Sequence, residues 1–192
     1  MIAIINYNAG NTVSVQNALW RLNCESIVTN NPAEILNASK VILPGVGEAS
    51  SAMRNLKQKG LDEIILRINQ PFLGICLGLQ LLCKNSEEGD TPGLGIFDTN
   101  VHIFPALRKV PHVGWNSIKK QPVKFLSNIE SEDDFYFVHS FYASICEHTI
   151  AESNYILPFS AVLKNENYHA TQFHPEKSGS TGEQLLKNFL EL

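Results

Sequence analysis

The stretch Phe72 to Cys83, FLGICLGLQLLC, decides the fold: an apolar run that reads as a buried strand breaks at Gly74, Cys76 and Gly78 and resumes with helical residues. A strand that stops and turns into a helix brings backbone against backbone, so the turning residue needs small neighbours on both sides. Gly74 and Gly78 bracket Cys76 in that way. The pattern is the cysteine form of a nucleophile elbow, whose geometry sets the thiol at the carboxyl end of a strand with helix amino-terminal N–H groups aimed at it. Taken alone, the segment leaves two readings open, a reactive cysteine or a small apolar side chain packed at a tight turn.

Upstream of the elbow, strand-like and helix-like segments alternate. Ile2 to Asn6 is a short apolar run followed by the turn signal Asn8-Ala9-Gly10-Asn11, and Val13, Asn17, Leu19 and Leu22 then recur at roughly helical spacing. Ser26 to Thr29 reads as a second strand, and Asn31-Pro32-Ala33-Glu34 as an N-cap, a first-turn proline and an acidic first turn for a helix ending near Leu36. Lys40 to Leu43 is strand-like, Pro44 to Gly47 reads as a loop, and helices are expected through Met53 to Lys57 and over Leu61 to Ile68. This alternation implies parallel pairing in a central sheet covered on both faces.

After Lys84 the texture changes. Ser86 to Gly95 is rich in Gly, Pro and acids, and strands are expected at Ile96, Val101 to Phe104, Val113 to Trp115, Phe135 to Val138, Ser160 to Leu163 and Tyr168 to Phe173. A last amphipathic helix is expected over Ser180 to Leu192. The expectation is an α/β fold, a three-layer sandwich around a mixed, mostly parallel sheet with a strand-rich C-terminal half. Its 192 residues form one domain, 1–192, by this reading. A formal net charge of -4 with 18% charged residues does not suggest nucleic acid, and no apolar run approaches the roughly 20 residues that span a bilayer. Cys24, Cys76, Cys83 and Cys146 form no CxxC pair, and no signal-peptide-like segment precedes Ile2, which sets the expectation of a reducing, cytoplasmic setting. Five basic residues between Arg108 and Lys124 and four acidic ones between Glu130 and Asp134 read either as solvated loops or as a docking surface.

The segment His174-Pro175-Glu176 changes the balance at Cys76. Proline favours an extended conformation for the residue before it, and in extended chain residues two apart share a side, so His174 and Glu176 are expected on one face. A carboxylate so placed holds an imidazole in one tautomer while its other nitrogen faces a thiol, the arrangement of nucleophile, base and orienter. Cys76 needs such help, because a free thiol with a pKa of about 8.5 is only a few per cent thiolate at neutral pH. An oxyanion would be met by the N–H of Leu77 and by the loop Pro44-Gly45-Val46-Gly47, where glycine lets the backbone turn. A zinc reading of His-x-Glu lacks the Cys-x-x-Cys it requires, so no metal and no cofactor is implied. Trp20 and Trp115 read as core or interface aromatics, and the histidines His102, His112, His139, His148 and His169 have no ligand-like spacing.

Gly74-Ile75-Cys76-Leu77-Gly78 together with His174-Pro175-Glu176 resembles the class I (triad) glutamine amidotransferases, and the resemblance covers the whole chain. Within that family, Pro44 to Gly47, Val110 to Asn116 (VPHVGWN), Phe135 to Ser140 and Gln172 to Ser178 are similar to the glutaminase subunits of imidazole glycerol phosphate synthases. The turn Asn6 to Asn11 departs from the Asp-Tyr-Gly-x-Gly-Asn of many relatives, and Phe141 stands where many carry Tyr. The resemblance implies a flavodoxin-like fold, with Cys76 as nucleophile, His174 as base and Glu176 as orienter. It places Val46, Gly47 and Leu77 at the oxyanion. It has Gln80, Glu88, Ser140 and Phe141 hold L-glutamine. It implies release of ammonia to a separate (β/α)8-barrel cyclase subunit that makes imidazole glycerol phosphate and an aminoimidazole carboxamide ribotide in histidine biosynthesis, in a heterodimer docked around Trp115, Asn116 and Tyr136. The other readings are a paralogue that feeds ammonia to another acceptor, such as a sugar nucleotide, and a catalytically silent regulatory module of the same fold.

Overall fold

Each residue of β1 (Ile2–Ile5) is apolar and buried, as a strand covered on both faces requires. In the computed structural model, which describes residues 1–130 and 132–192, α1 (Thr12–Arg21), β2 (Ser26–Thr29), α2 (Pro32–Asn37) and β3 (Lys40–Gly45) follow. Then come α3 (Ala49–Gln58), α4 (Leu61–Ile65), β4 (Phe72–Cys76) and α5 (Leu77–Leu82). Side chains of Asn11 and Asn31 accept from the backbone N–H of Ser14 and Ala33, so both act as the helix caps their residue type suggests.

The second half is mostly strand: β5 (Cys83–Ser86), β6 (Thr91–Pro92), β7 (Phe97–Ile103), β8 (His112–Ser117) and β9 (Lys119–Lys120). After β10 (Asp134–His139), β11 (Phe141–Ala143), β12 (Thr149–Asn154), β13 (Pro158–Asn165) and β14 (Tyr168–Thr171), the chain closes with α6 (Gly179–Leu190). The main sheet runs β2-β1-β3-β4-β14-β13-β12-β9. Its pairings from β2 to β14 are parallel and those beyond β14 antiparallel. A β8–β10 ribbon and a smaller sheet, β11-β7-β5-β6, complete the strands.

Alternation along the central strands divides the core. Ile2, Ile4, Ile42, Leu73 and Ile75 pack with α1 and α6 on one face; Ala3, Ile5, Val41, Leu43 and Phe72 pack with α2, α3, α4 and α5 on the other. The result is the three-layer α/β architecture with a mixed sheet.

Several boundaries differ from the sequence reading. The strand expected to stop at Leu43 runs through Pro44 and Gly45, paired with Ile75 and Cys76 of β4, so the loop is only Val46, Gly47 and Glu48. Helix α4 ends at Ile65, before the Asn69-Gln70-Pro71 segment where proline disfavours helix. The strand expected up to Phe173 stops at Thr171, whose hydroxyl donates to the Phe173 carbonyl and turns the chain. The strands β5, β6, β9 and β12 lack the apolar runs that mark a strand in sequence, and β11 is only three residues long. Position 131, inside the acidic Glu130–Asp134 run, lies outside the described residues. Of the basic segment, Arg108 is tied to the protein itself, its guanidinium donating to the Tyr155 carbonyl and lying 5.3 Å from that ring's centre.

Candidate active site

The parallel strands β3, β4 and β14 end at one edge of the sheet, and the segments leaving those ends converge there. In α/β sheets ligands bind beyond such carboxyl ends. At the end of β4, Cys76 takes φ 55°, a left-handed backbone that is strained for a residue with a Cβ, and α5 begins at the next residue. Close packing holds the turn in place. A Cβ on Gly78 would lie 2.2 Å from the Leu43 carbonyl oxygen, and one on Gly45 would lie 2.5 Å from the Gly78 nitrogen. The glycines around the cysteine are therefore there for approach of backbone to backbone, as the sequence implied.

His174 reaches the same place from β14, the other neighbour of β4. Its backbone is extended, but Glu176 sits in a 3-10 turn over Pro175–Lys177, not in extended chain as expected. Pro175 suits the first position of such a turn, and the N–H of Lys177 and the hydroxyl of Ser178 close it on the His174 carbonyl. The two side chains still meet: Nδ1 of His174 is 2.8 Å from Oε1 of Glu176, each side chain 2% exposed.

A carboxylate only accepts, so Nδ1 carries a proton and Nε2 is the nitrogen turned elsewhere. Nε2 is buried and has no aligned hydrogen-bond partner among the described residues. Burial works against a charged imidazole, but attraction from Cys76 and Glu176 outweighs it and raises the His174 pKa to about 10.

Cys76, 7% exposed, lines a cavity of about 310 Å³ with His174. Val46, Gly47, Leu77, Gln80, Glu88, Ser140 and Phe141 line it too, so the structure brings these expected residues together. Val46 is 42% exposed, and Gly47 has φ 108°, a backbone that favours glycine. Leu77 opens α5, so its N–H has no partner within the helix. Glu88 caps α3 from outside, Oε2 accepting from the Ala49 N–H at 2.8 Å, and burial followed by the neighbouring Glu48 pushes its carboxyl pKa upward against that bond. Gln80 gives its Nε2 to the protein, donating to the Phe141 carbonyl at 3.0 Å and to Oε1 of Gln172 at 3.1 Å. The Ser140 carbonyl likewise accepts from the Phe104 N–H.

Trp115, Asn116 and Tyr136 stand outside the cavity, on the β8–β10 ribbon. Trp115 is cross-strand to Tyr136 with ring centres 5.9 Å apart and is 56% exposed. Asn116 is tied back, its Nδ2 donating to the Asn154 carbonyl. The ribbon is anchored to the site because the Tyr136 carbonyl accepts from the His174 N–H and the Tyr136 N–H donates to Ser178 Oγ.

The sequence reading missed several residues here. His139, Val138, Pro111 and Lys177 line the cavity, and Gln172 is fully buried with Nε2 3.7 Å from Cys76 Sγ. Gln172 lies two residues before His174, so the same i, i+2 argument that paired His174 with Glu176, applied upstream, would have found it. His139 carried no ligand spacing; its signal is structural, a 3.0 Å contact to the buried His112.

The chain matches the family model described as "Glutamine amidotransferase class-I" over residues 3–192. A relative from Bacteroides thetaiotaomicron named imidazole glycerol phosphate synthase subunit HisH is 52% identical over 100% of this chain and 99% of its own length. The Methanococcus maripaludis protein named imidazole glycerol phosphate synthase subunit HisH 1 is 45% identical with 100% of both chains covered. Among solved structures, a putative GMP synthase subunit from Thermoplasma acidophilum superposes with TM-score 0.75 at 20% identity, covering 99% of this chain and 92% of that one.

Proposed function

The chain belongs to the class I glutamine amidotransferases, and we infer that it is the glutaminase subunit of an imidazole glycerol phosphate synthase, serving histidine biosynthesis. It hydrolyses L-glutamine to glutamate and ammonia. The observation that carries the site assignment is the buried 2.8 Å His174–Glu176 pair set beside a cysteine at φ 55°. The whole of 1–192 acts as one glutaminase domain, in the cytoplasm.

In this reading Cys76 passes its proton to His174 and its sulfur attacks the carboxamide carbon of glutamine. The backbone N–H of Leu77, with N–H groups of the Val46–Gly47 loop, receives the oxyanion. The C–N bond then breaks, His174 gives its proton to the departing nitrogen, and ammonia leaves a thioester on Cys76. Acylation removes the thiolate, one of the groups that raises the His174 pKa, so the imidazole becomes a competent base for the water that releases glutamate. Glu176 keeps the same ring orientation through both halves. Around the substrate, Glu88 and Gln80, with backbone of Ser140 and Phe141, hold the amino-acid head group.

Ammonia freed into water would be protonated and lose its nucleophilicity. The site therefore serves a partner that takes ammonia directly, a (β/α)8-barrel cyclase subunit in a heterodimer, with Trp115 and Tyr136 on the docking face and Asn116 at its edge. The free chain turns over slowly because the Val46–Gly47 loop presents its N–H only in the complex. Growth rescue tests the reading: a histidine auxotroph lacking this subunit grows when given the chain. No growth despite soluble expression with a matched cyclase contradicts it.

A further inference from the structure

Gln172 takes no part in the steps above, yet its amide donates to the Cys76 sulfur, with Nε2 at 3.7 Å. Which end of that amide faces the sulfur follows from a backbone group. The Phe141 carbonyl can only accept, so the Gln80 atom 3.0 Å from it is Nε2. The second hydrogen of that Nε2 points to Gln172 at 3.1 Å, which makes the facing atom of Gln172 its Oε1. Nε2 is then the end left for Cys76.

The same carbonyl also fixes two histidines. His139 Nδ1 is 2.8 Å from the Phe141 oxygen and must donate to it, so its Nε2 accepts from Nδ1 of His112 at 3.0 Å. A buried chain of bonds with settled direction thus runs from His112 through His139 and the Phe141 carbonyl to Gln80, Gln172 and the sulfur.

Besides His174, the sulfur has a further polar neighbour in the Val138 carbonyl at 3.9 Å. A carbonyl suits the thiol, which can donate to it; an amide N–H suits the thiolate, which can only accept. We propose that Gln172 is a catalytic donor that stabilises the Cys76 thiolate and aims it into the cavity, and that Gln80 is a positioning residue that keeps the Gln172 amide from turning over. Turned over, the amide would set its oxygen against the thiolate and oppose its formation. This rests on the glutaminase reading and deepens it, and it gives Gln80 a task beside the substrate contact.

The test is the rate of Cys76 alkylation by iodoacetamide, located by peptide mass spectrometry on the full chain and read as the ratio of the rate at neutral pH to the alkaline plateau. Gln172→Met keeps the volume and removes the donor, and the ratio is expected to fall about tenfold with the plateau unchanged. Gln80→Met, which leaves the Gln172 amide in place but free to turn, is expected to give a smaller fall and serves if Gln172→Met does not fold. Ratios equal to wild type in the folded variants overturn the proposal; if that wild type hydrolyses glutamine with its cyclase, the glutaminase reading stands. A wild-type Cys76 that resists alkylation at every pH overturns both.

Discussion

Nδ1 of His174 and Oε1 of Glu176 lie 2.8 Å apart with both side chains shut off from solvent. The contact fixes the tautomer, and it is one of the interactions holding the imidazole pKa up at about 10. Glu176→Gln keeps the shape and removes the charge. Its His174 pKa, followed by NMR of the imidazole ring, is expected to fall, and kcat for glutamine hydrolysis to drop by between about tenfold and 10⁴-fold. An unmoved titration would separate Glu176 from the chemistry.

Two glycines are expected to fail in different ways. In Gly78→Ala the new Cβ meets the Leu43 carbonyl 2.2 Å away, and the backbone that must give belongs to the centre of the sheet. The urea midpoint should fall, reflecting about 1 to 3 kcal/mol or more. Gly47→Ala meets no atom within 4 Å, and the strain is in the φ of 108° alone. It should keep the fold while losing up to about a thousandfold in kcat with the cyclase present, because a backbone that leaves this φ no longer aims its N–H at the oxyanion.

Acid is expected to unfold the protein through its buried histidines. Burial, the first cause in each case, lowers His112 and His169 to about 4 and His139 to about 3. Between pH ~6.5 and those values the unfolded chain binds protons that the folded chain does not, so stability falls with pH by up to about 1.4 kcal/mol per pH unit for each such group. His174 works in the other window: raised to about 10, it contributes stability that is full below about 6.5 and is lost as pH rises through 10. Urea midpoints across pH measure both limbs. His169→Leu, far from the cavity, should flatten part of the acid limb, and an acid limb unchanged in that variant would contradict the assignment.

The two exposed tryptophans offer a control for each other. Trp115 rises from the β8–β10 ribbon beside the site, whereas Trp20 shares a surface hollow with Met1 and Cys24 at the opposite, amino-terminal edge of the sheet. Trp115→Ala should weaken binding of the cyclase by about 2 kcal/mol or more, roughly thirtyfold in Kd by calorimetry, as central interface aromatics do. Trp20→Ala should leave Kd unchanged, and the reverse pattern would move the docking face to the other edge.

What could be read in the sequence was what depends on local stereochemistry. Gly74, Cys76 and Gly78 specify a tight turn wherever they occur, and Asn31-Pro32 announces a helix start, so the elbow and the first βα units were legible. Cys83 to Ser86 and Thr149 to Asn154 were not, because a strand with polar outward residues acquires its identity only from the neighbour it pairs with, β7 for the first and β13 for the second. The limits of the Pro44 strand were set by pairing with Ile75 and Cys76, again a tertiary fact. In the site, the residues on short spacings were found and the network between distant segments was not. The family resemblance implies a substrate contact for Gln80, but which atoms its amide nitrogen meets depends on Phe141 and Gln172, 61 and 92 positions away.

In the proposed reaction the acyl group rests on Cys76. The direct measure of this is glutamine hydrolysis by the chain assembled with its cyclase and the cyclase's nucleotide ligand, compared between wild type and Cys76→Ala. A loss of at least about a thousandfold in kcat with assembly intact is expected; hydrolysis at the wild-type rate by Cys76→Ala would rule out an acyl-enzyme on this cysteine.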